Sequence, residues 1–92
     1  MIDKVSYQVI ARPAISVLLP VFNGEYWLKD CIHSIFSQDF TAFELIIIDD
    51  GSTDNSKNIL SKYSHLIKLI SYNQNKGKGH ALIMGIQSAS NN

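Results

Sequence analysis

Residues 45–48 form an unbroken apolar run, Leu-Ile-Ile-Ile, that ends on two adjacent carboxylates, Asp49 and Asp50. A short apolar run without polar alternation is the signature of a strand covered on both faces, as in parallel sheets. The same signature occurs in residues 15–22 (ISVLLPVF), where Pro20 is expected to mark the point at which sheet pairing stops. Two such strands in a chain of 92 residues leave room for little besides their connections and one more strand.

The connections change period. In residues 23–38 (NGEYWLKDCIHSIFSQ), Leu28, Cys31, Ile32, Ile35 and Phe36 fall on one helical stripe, with Asn23 as N-cap and Glu25 in the first turn. Residues 55–65 (NSKNILSKYSH) predict a second helix, capped by Ser52, Thr53 or Asp54, with Ile59, Leu60 and Tyr63 as its apolar contacts. Residues 66–72 (LIKLISY) predict a third strand. A glycine- and lysine-rich turn over 73–79 (NQNKGKG) leads into a third helix, on which Leu82, Ile86 and Ala89 share a face. The order β-α-β-α-β-α implies a three-layer, Rossmann-like α/β unit with a mostly parallel sheet. Residues 1–13 show no period and read as a leader; residues 14–92 carry the domain.

Eight basic and eight acidic residues give no net charge, which argues against a nucleic-acid partner and against bulk attraction to anionic lipid. The single cysteine, Cys31, can form neither an internal disulfide nor a zinc site alone, which fits a reducing, cytoplasmic setting. It lies on the apolar stripe of the first helix and reads as a buried small hydrophobe. No segment has the apolar core of a signal peptide or the ~20 residues that cross a bilayer, so membrane association is left to a longer parent chain.

In open α/β sheets, ligands bind outside the carboxyl ends of the strands. Three loops meet there: PVFNGE, DDGSTD and NQNKGKG. Asp49 and Asp50 fall on opposite faces of the strand end, because side chains alternate. Two readings follow. Both acids can serve as local caps. Alternatively one accepts hydrogen bonds from loop backbone while the other turns into the cleft and accepts from a ligand's N–H.

The segments ISVLLPVFNGEYWLKDCIHSIFSQ, FELIIIDDGSTDNS and NKGKGHALIMGIQSA together resemble the N-terminal half of the nucleotide-diphospho-sugar-binding domain of family 2 glycosyltransferases, of the glycosyltransferase-A fold. The resemblance implies that Phe22 packs on the nucleotide base with Pro20 shaping the pocket beside it. It implies that Asp50 accepts from the ring N–H, that Glu25 lies near the base or ribose, and that Asp49 fixes the loop. Lys78, with Lys76, would supply positive charge to the diphosphate. GKGH is not a Walker motif, since its glycine spacing and Lys-Ser/Thr pair are missing. Ile83 stands where the family often has an asparagine, which removes that polar contact.

The function implied is transfer of a sugar, with inversion, from a nucleoside-diphosphate sugar to a glycan or lipid-linked acceptor in cell-surface polysaccharide synthesis. The family's Mg²⁺ or Mn²⁺ sits on an Asp-x-Asp. The acids here are Asp3, Glu25, Asp30, Asp39, Glu44, Asp49, Asp50 and Asp54, and no pair has that spacing. The resemblance therefore implies an incomplete glycosyltransferase-A domain, a fragment without metal ligands or catalytic base that cannot transfer sugar alone. An open apolar edge on the first strand would then favour a homo-oligomer.

The alternative is a non-catalytic α/β binding module or a receiver-like domain with an acidic Mg²⁺ pair, although a receiver would carry that pair after its first strand. Among lesser candidates, His33 reads as solvent-facing, His65 as a helix-end residue whose imidazolium suits the dipole, and His80, after the glycine turn, as a possible ligand contact. Tyr26 and Trp27 read as packing residues.

Overall fold

A computed structural model describes residues 14–39 and 42–89; the leader assigned to residues 1–13 lies outside them. The elements are β1 (Ile15–Val21), α1 (Leu28–Phe36), β2 (Phe43–Asp50), α2 (Ser56–Ser61), β3 (Lys68–Tyr72) and α3 (Lys78–Ser88). The three strands are parallel, in the order β1-β2-β3. The register runs from Ile15 opposite Phe43 to Val21 opposite Asp49, and from Ile46 opposite Lys68 to Asp50 opposite Tyr72. This is the α/β architecture expected from the alternation of periods.

β2 holds the layers together. Leu45 and Ile47 join one cluster with Leu28, Ile32 and Phe36 of α1 and Leu60 of α2, while Ile46 and Ile48 join another with Ala81 of α3. Helices therefore cover both faces of the central strand, and all four of these β2 side chains are at most 1% exposed. Burying each contributes about 1.5–3 kcal/mol, which concentrates the stabilisation on this strand. Phe36 and Phe43 stack at 5.6 Å between centroids and close the lower end of the first cluster.

Several local expectations are corrected. Pro20 does not end pairing: it lies inside β1, opposite Ile48. β1 is an outer strand, where a missing N–H is tolerated because it can face the open edge. For the same reason β1 is half-buried rather than sealed, and Ile15 is exposed. Asn23 does not cap α1. The amides of Trp27 and Leu28 both bond to Gly24 O, and helical structure starts only at Leu28. Cys31 is partly rather than fully buried.

α2 is six residues long, and its buried positions are Ser56 and Leu60. The buried face of α3 is Ala81 and Gly85 rather than that of Leu82 and Ile86; of the three expected residues, Ala89 alone packs against the core. A Cβ on Gly85 would stand 2.9 Å from Ile48 Cδ1 and 3.1 Å from Leu18 Cδ2. The large side chains on the sheet bring the small residues of α3 closest, with Met84 packed at the margin, and Ile83 and Ile86 are left more than half exposed. Among the described residues, no helix is long and apolar enough to cross a membrane.

Candidate functional site

The loops after β1 and β2 are braced to each other by reciprocal hydrogen bonds. Asn23 N donates to Ser52 Oγ (3.0 Å), Gly24 N to Ser56 Oγ (2.9 Å) and Glu25 N to Asp54 Oδ2 (3.1 Å). In return Thr53 N and Asp54 N donate to Asn23 Oδ1 (2.8 and 3.3 Å), and Asn55 N to Glu25 Oε1 (3.1 Å). Asn23 reaches both amides from a left-handed backbone, φ 52°, a conformation that asparagine tolerates better than most residues. The hydroxyls and acids of "DGSTD" thus hold loop backbone from the neighbouring connection.

Asp49 belongs to that structural side. It is fully buried on the α2 face, where Oδ1 accepts from Ser52 N (3.2 Å) and Oδ2 from Lys57 Nζ (2.8 Å) and Ser71 Oγ (3.3 Å). Lys57 Nζ also donates to Tyr72 O at 3.2 Å, so one ammonium ties α2 to the ends of β2 and β3. With three donors on it and no exposed surface, Asp49 is closed to a ligand.

Asp50 faces the other way. It is 3% exposed; Oδ1 accepts from Lys76 N (2.8 Å) and Oδ2 from Gly77 N (3.0 Å), the two amides that lead into α3. Burial pushes its carboxyl pKa up, but those amides, the Tyr72 hydroxyl and the charge of His80 together hold it below its ordinary 3.8. The group is therefore an anion at neutral pH. An ionised carboxylate offers about four lone-pair sites, and the two amides leave acceptor capacity free. Tyr72 Oη is buried without a hydrogen bond of ordinary geometry. Burial, and the Asp50 carboxylate beside it, push its pKa up to about 12.

Beside Asp50 lies a cavity of about 600 Å³, lined by residues 19–22, Trp27, Asp50, Asn75, Gly77 and Lys78. Its size falls within the ~300–1,000 Å³ of small-molecule sites. Of the residues singled out in the sequence, Pro20, Phe22, Asp50 and Lys78 converge on it, whereas Glu25 and Asp49 do not line it. Glu25 is turned to the start of α2 and Asp49 to Lys57. His80 stands against Tyr72 at 5.6 Å, edge to face, and is not among the lining residues. His33 meets Tyr63 on the far side of the molecule's first helix.

Sequence reasoning missed Asn75 and read Trp27 as a packing residue; Gly77 it marked for close backbone approach in the third loop. The NxG spacing of Asn75 and Gly77 was the available signal. Gly77 adopts φ 94°, ψ 157°, a region essentially closed to other residues, and this geometry turns its amide onto Asp50.

The donor set does not fit a divalent cation. Among the described residues, no group of three or more His, Cys, Asp or Glu could hold one. Asp49 and Asp50 point to opposite faces of β2, which also rules out a receiver-like acidic pair.

Comparison with known proteins places these features in context. The sequence profile of "Glycosyl transferase family 2" matches residues 16–92. A putative teichuronic acid biosynthesis glycosyltransferase, TuaG of Bacillus subtilis, is 31% identical over 81 residues, which is 85% of this chain and 32% of that protein. The structure of S. aureus TarS (residues 1–349) superposes with a TM-score of 0.73 at 31% identity, over 82% of this chain and 24% of that one. A mannosyltransferase from Pyrobaculum calidifontis, solved with GDP-Man and Mn²⁺, superposes at 0.76 with 21% identity, over 95% of this chain and 29% of its own. The chain spans a third or less of the curated relatives it matches, from 32% down to 12% of their length.

Proposed function

This chain belongs to glycosyl transferase family 2, and from that premise we propose that the cavity beside Asp50 receives the nucleoside of a nucleoside-diphosphate sugar. The observation that carries the reading is the meeting of Phe22, Pro20 and Asp50 on one hollow, although 28 residues separate Phe22 from Asp50 in sequence. Phe22 is half exposed, so its ring offers a face on which a flat heterocycle can stack. Asp50, held as an anion by Lys76 N and Gly77 N, accepts from the heterocycle's N–H. Lys78 opens α3, whose N-terminus has no side-chain cap, and its charge and free amides suit the diphosphate.

In a longer protein of this family, the acceptor hydroxyl of a glycan or lipid-linked acceptor would attack the anomeric carbon in line. The configuration would invert, and the nucleoside diphosphate would leave. A base must take the hydroxyl proton, and charge must build on the leaving phosphate. These 92 residues supply donor binding and neither of those tasks. A divalent cation for the diphosphate is assigned to the remainder of such a protein, as is any contact with a membrane. Residues 14–92 are then the N-terminal part of the donor-binding domain, and by themselves they turn over no nucleotide sugar.

The outer edge of β1, apolar and half-buried, is a surface for pairing with a second copy when nothing else covers it. A monomer in size-exclusion chromatography at high concentration would count against that assembly. The donor reading itself is tested by calorimetric titration with uridine and guanosine diphosphates. Asp50→Ala is expected to lose at least about tenfold in affinity, in line with removal of a charged hydrogen-bond acceptor. Unchanged affinity would overturn the reading.

A further inference from the structure

We propose that Trp27 is the second aromatic wall of this cavity, a stacking contact for the planar heterocycle that Phe22 and Asp50 receive. The inference rests on the donor reading above and adds to it a residue that neither the family motif nor the sequence pattern points to. Trp27 and Phe22 line the same hollow and are 43% and 49% exposed. Three aromatic pairs occur among the described residues: Phe36 with Phe43, His33 with Tyr63, and Tyr72 with His80. Phe22 and Trp27 join none of them. Two large ring surfaces on one cavity are thus left without an aromatic partner, next to a carboxylate that stays ionised. Stacking on such faces is tolerant of the particular base, whereas the carboxylate selects one that presents an N–H.

The position of Trp27 is fixed rather than loose. Its indole presses on Gly24 so closely that a Cβ there would stand 2.6 Å from Cζ2. Gly24 is anchored in turn, donating its amide to the buried Ser56 and accepting from Trp27 N and Leu28 N. The wall is therefore organised before any ligand arrives, which lowers the ordering cost of binding. Tyr26, one residue earlier, shows the contrast: it is 93% exposed and does not line the cavity. If Trp27 served only to plug the loop against Gly24, its outer face would have no bearing on affinity.

Trp27 is the single tryptophan of the chain, so its emission reports on this wall alone. The 92-residue chain is titrated with uridine diphosphate, guanosine diphosphate and pyrophosphate, followed in parallel by tryptophan emission and by calorimetry. Both nucleotides are expected to quench Trp27 with the same midpoint as the heat, and pyrophosphate to leave the emission unchanged. Trp27→Ala should weaken nucleotide binding by about tenfold, the size of one base stacked on one ring. Trp27→Phe should restore affinity to within about threefold of wild type, since a smaller ring still offers a face.

Nucleotide heat without any change in emission overturns the inference and leaves the donor reading standing. So does Trp27→Ala binding as well as wild type, or a folded Trp27→Phe that binds no better than Trp27→Ala. Absence of nucleotide heat from the wild-type chain overturns both. If Trp27→Ala does not fold, by circular dichroism, wild-type emission and the Trp27→Phe affinity decide.

Discussion

Asp49 and Asp50 are adjacent in sequence, yet they sit in surroundings of different kinds. Asp49 is closed in by the ammonium of Lys57, the hydroxyl of Ser71 and the amide of Ser52. Asp50 is held by two backbone amides leading into α3, with the Tyr72 hydroxyl beside it, and borders an open cavity. A mobile side-chain cation can wrap a carboxylate and consume its lone pairs. Amides fixed in a turn approach from one side and leave the rest of the group to accept from something else. The same burial thus yields a brace on one face of β2 and an acceptor on the other.

The largest expected effect removes the ground that both sides share. Gly51 follows Asp50 with φ 74°, and a Cβ there would fall 2.4 Å from Asn75 N and from Gln74 C. Gly51→Ala forces backbone apart in addition to its strained conformation, and should cost at least about 3 kcal/mol in urea denaturation. A cost under about 1 kcal/mol would show that the loops after β2 and β3 are not locked together. Next is Lys57→Ala, which leaves Asp49 buried and unpaired. The half-exposed Lys57 site lets water reach part of the charge, so the expected loss is about 2 kcal/mol rather than the full cost of breaking a buried pair. Nucleotide affinity of the folded protein should not change. A matching loss of affinity would erase the distinction between the two faces.

Glu25→Ala sharpens the same division. The brace bond to Asn55 N is worth about 0.5–1 kcal/mol, and nucleotide affinity should stay within about twofold of wild type. A tenfold loss would return Glu25 to the base or ribose, where the family resemblance puts it. The smallest effect is a titration. Tyr72 is raised from 10.0 to about 12, so the unfolded chain gives up this proton first. Its contribution to stability is complete below pH 10 and fades as pH rises through about 12. In a phenolate absorbance titration, one of the four tyrosines should ionise late, and Tyr72→Phe should remove that step. All tyrosines titrating together would place Tyr72 in water, away from Asp50.

Much of the site was legible because one strand carries it. The run from Leu45 to Ile48 reads as a strand covered on both faces, and alternation alone sends Asp49 and Asp50 to opposite faces. The family resemblance then paired Asp50 with Phe22, and the cavity holds both. The direction of Glu25 was not legible, because it depends on which loop amide stands opposite. Trp27 was missed for a related reason. With Asn23 as the expected N-cap, Trp27 falls inside the helix, whereas the helix begins at Leu28, so Trp27 belongs to a turn and lines the cavity instead of the core. On α3 the large apolar residues mark one face, but the sheet's own bulk selected Ala81 and Gly85 for the contact.

By itself the sequence determined the alternation of strand and helix and the splitting of the acid pair, since these depend on local periods of two and 3.6 residues and on the burial those periods permit. Tertiary structure decided which acid is consumed and which is left free, where Trp27 and Glu25 point, and which face of α3 meets the sheet. Those outcomes depend on distances between segments about 30 residues apart, closed by hydrogen bonds such as Asn23 to Ser52 and Lys76 to Asp50. Local periodicity carries no record of such distances.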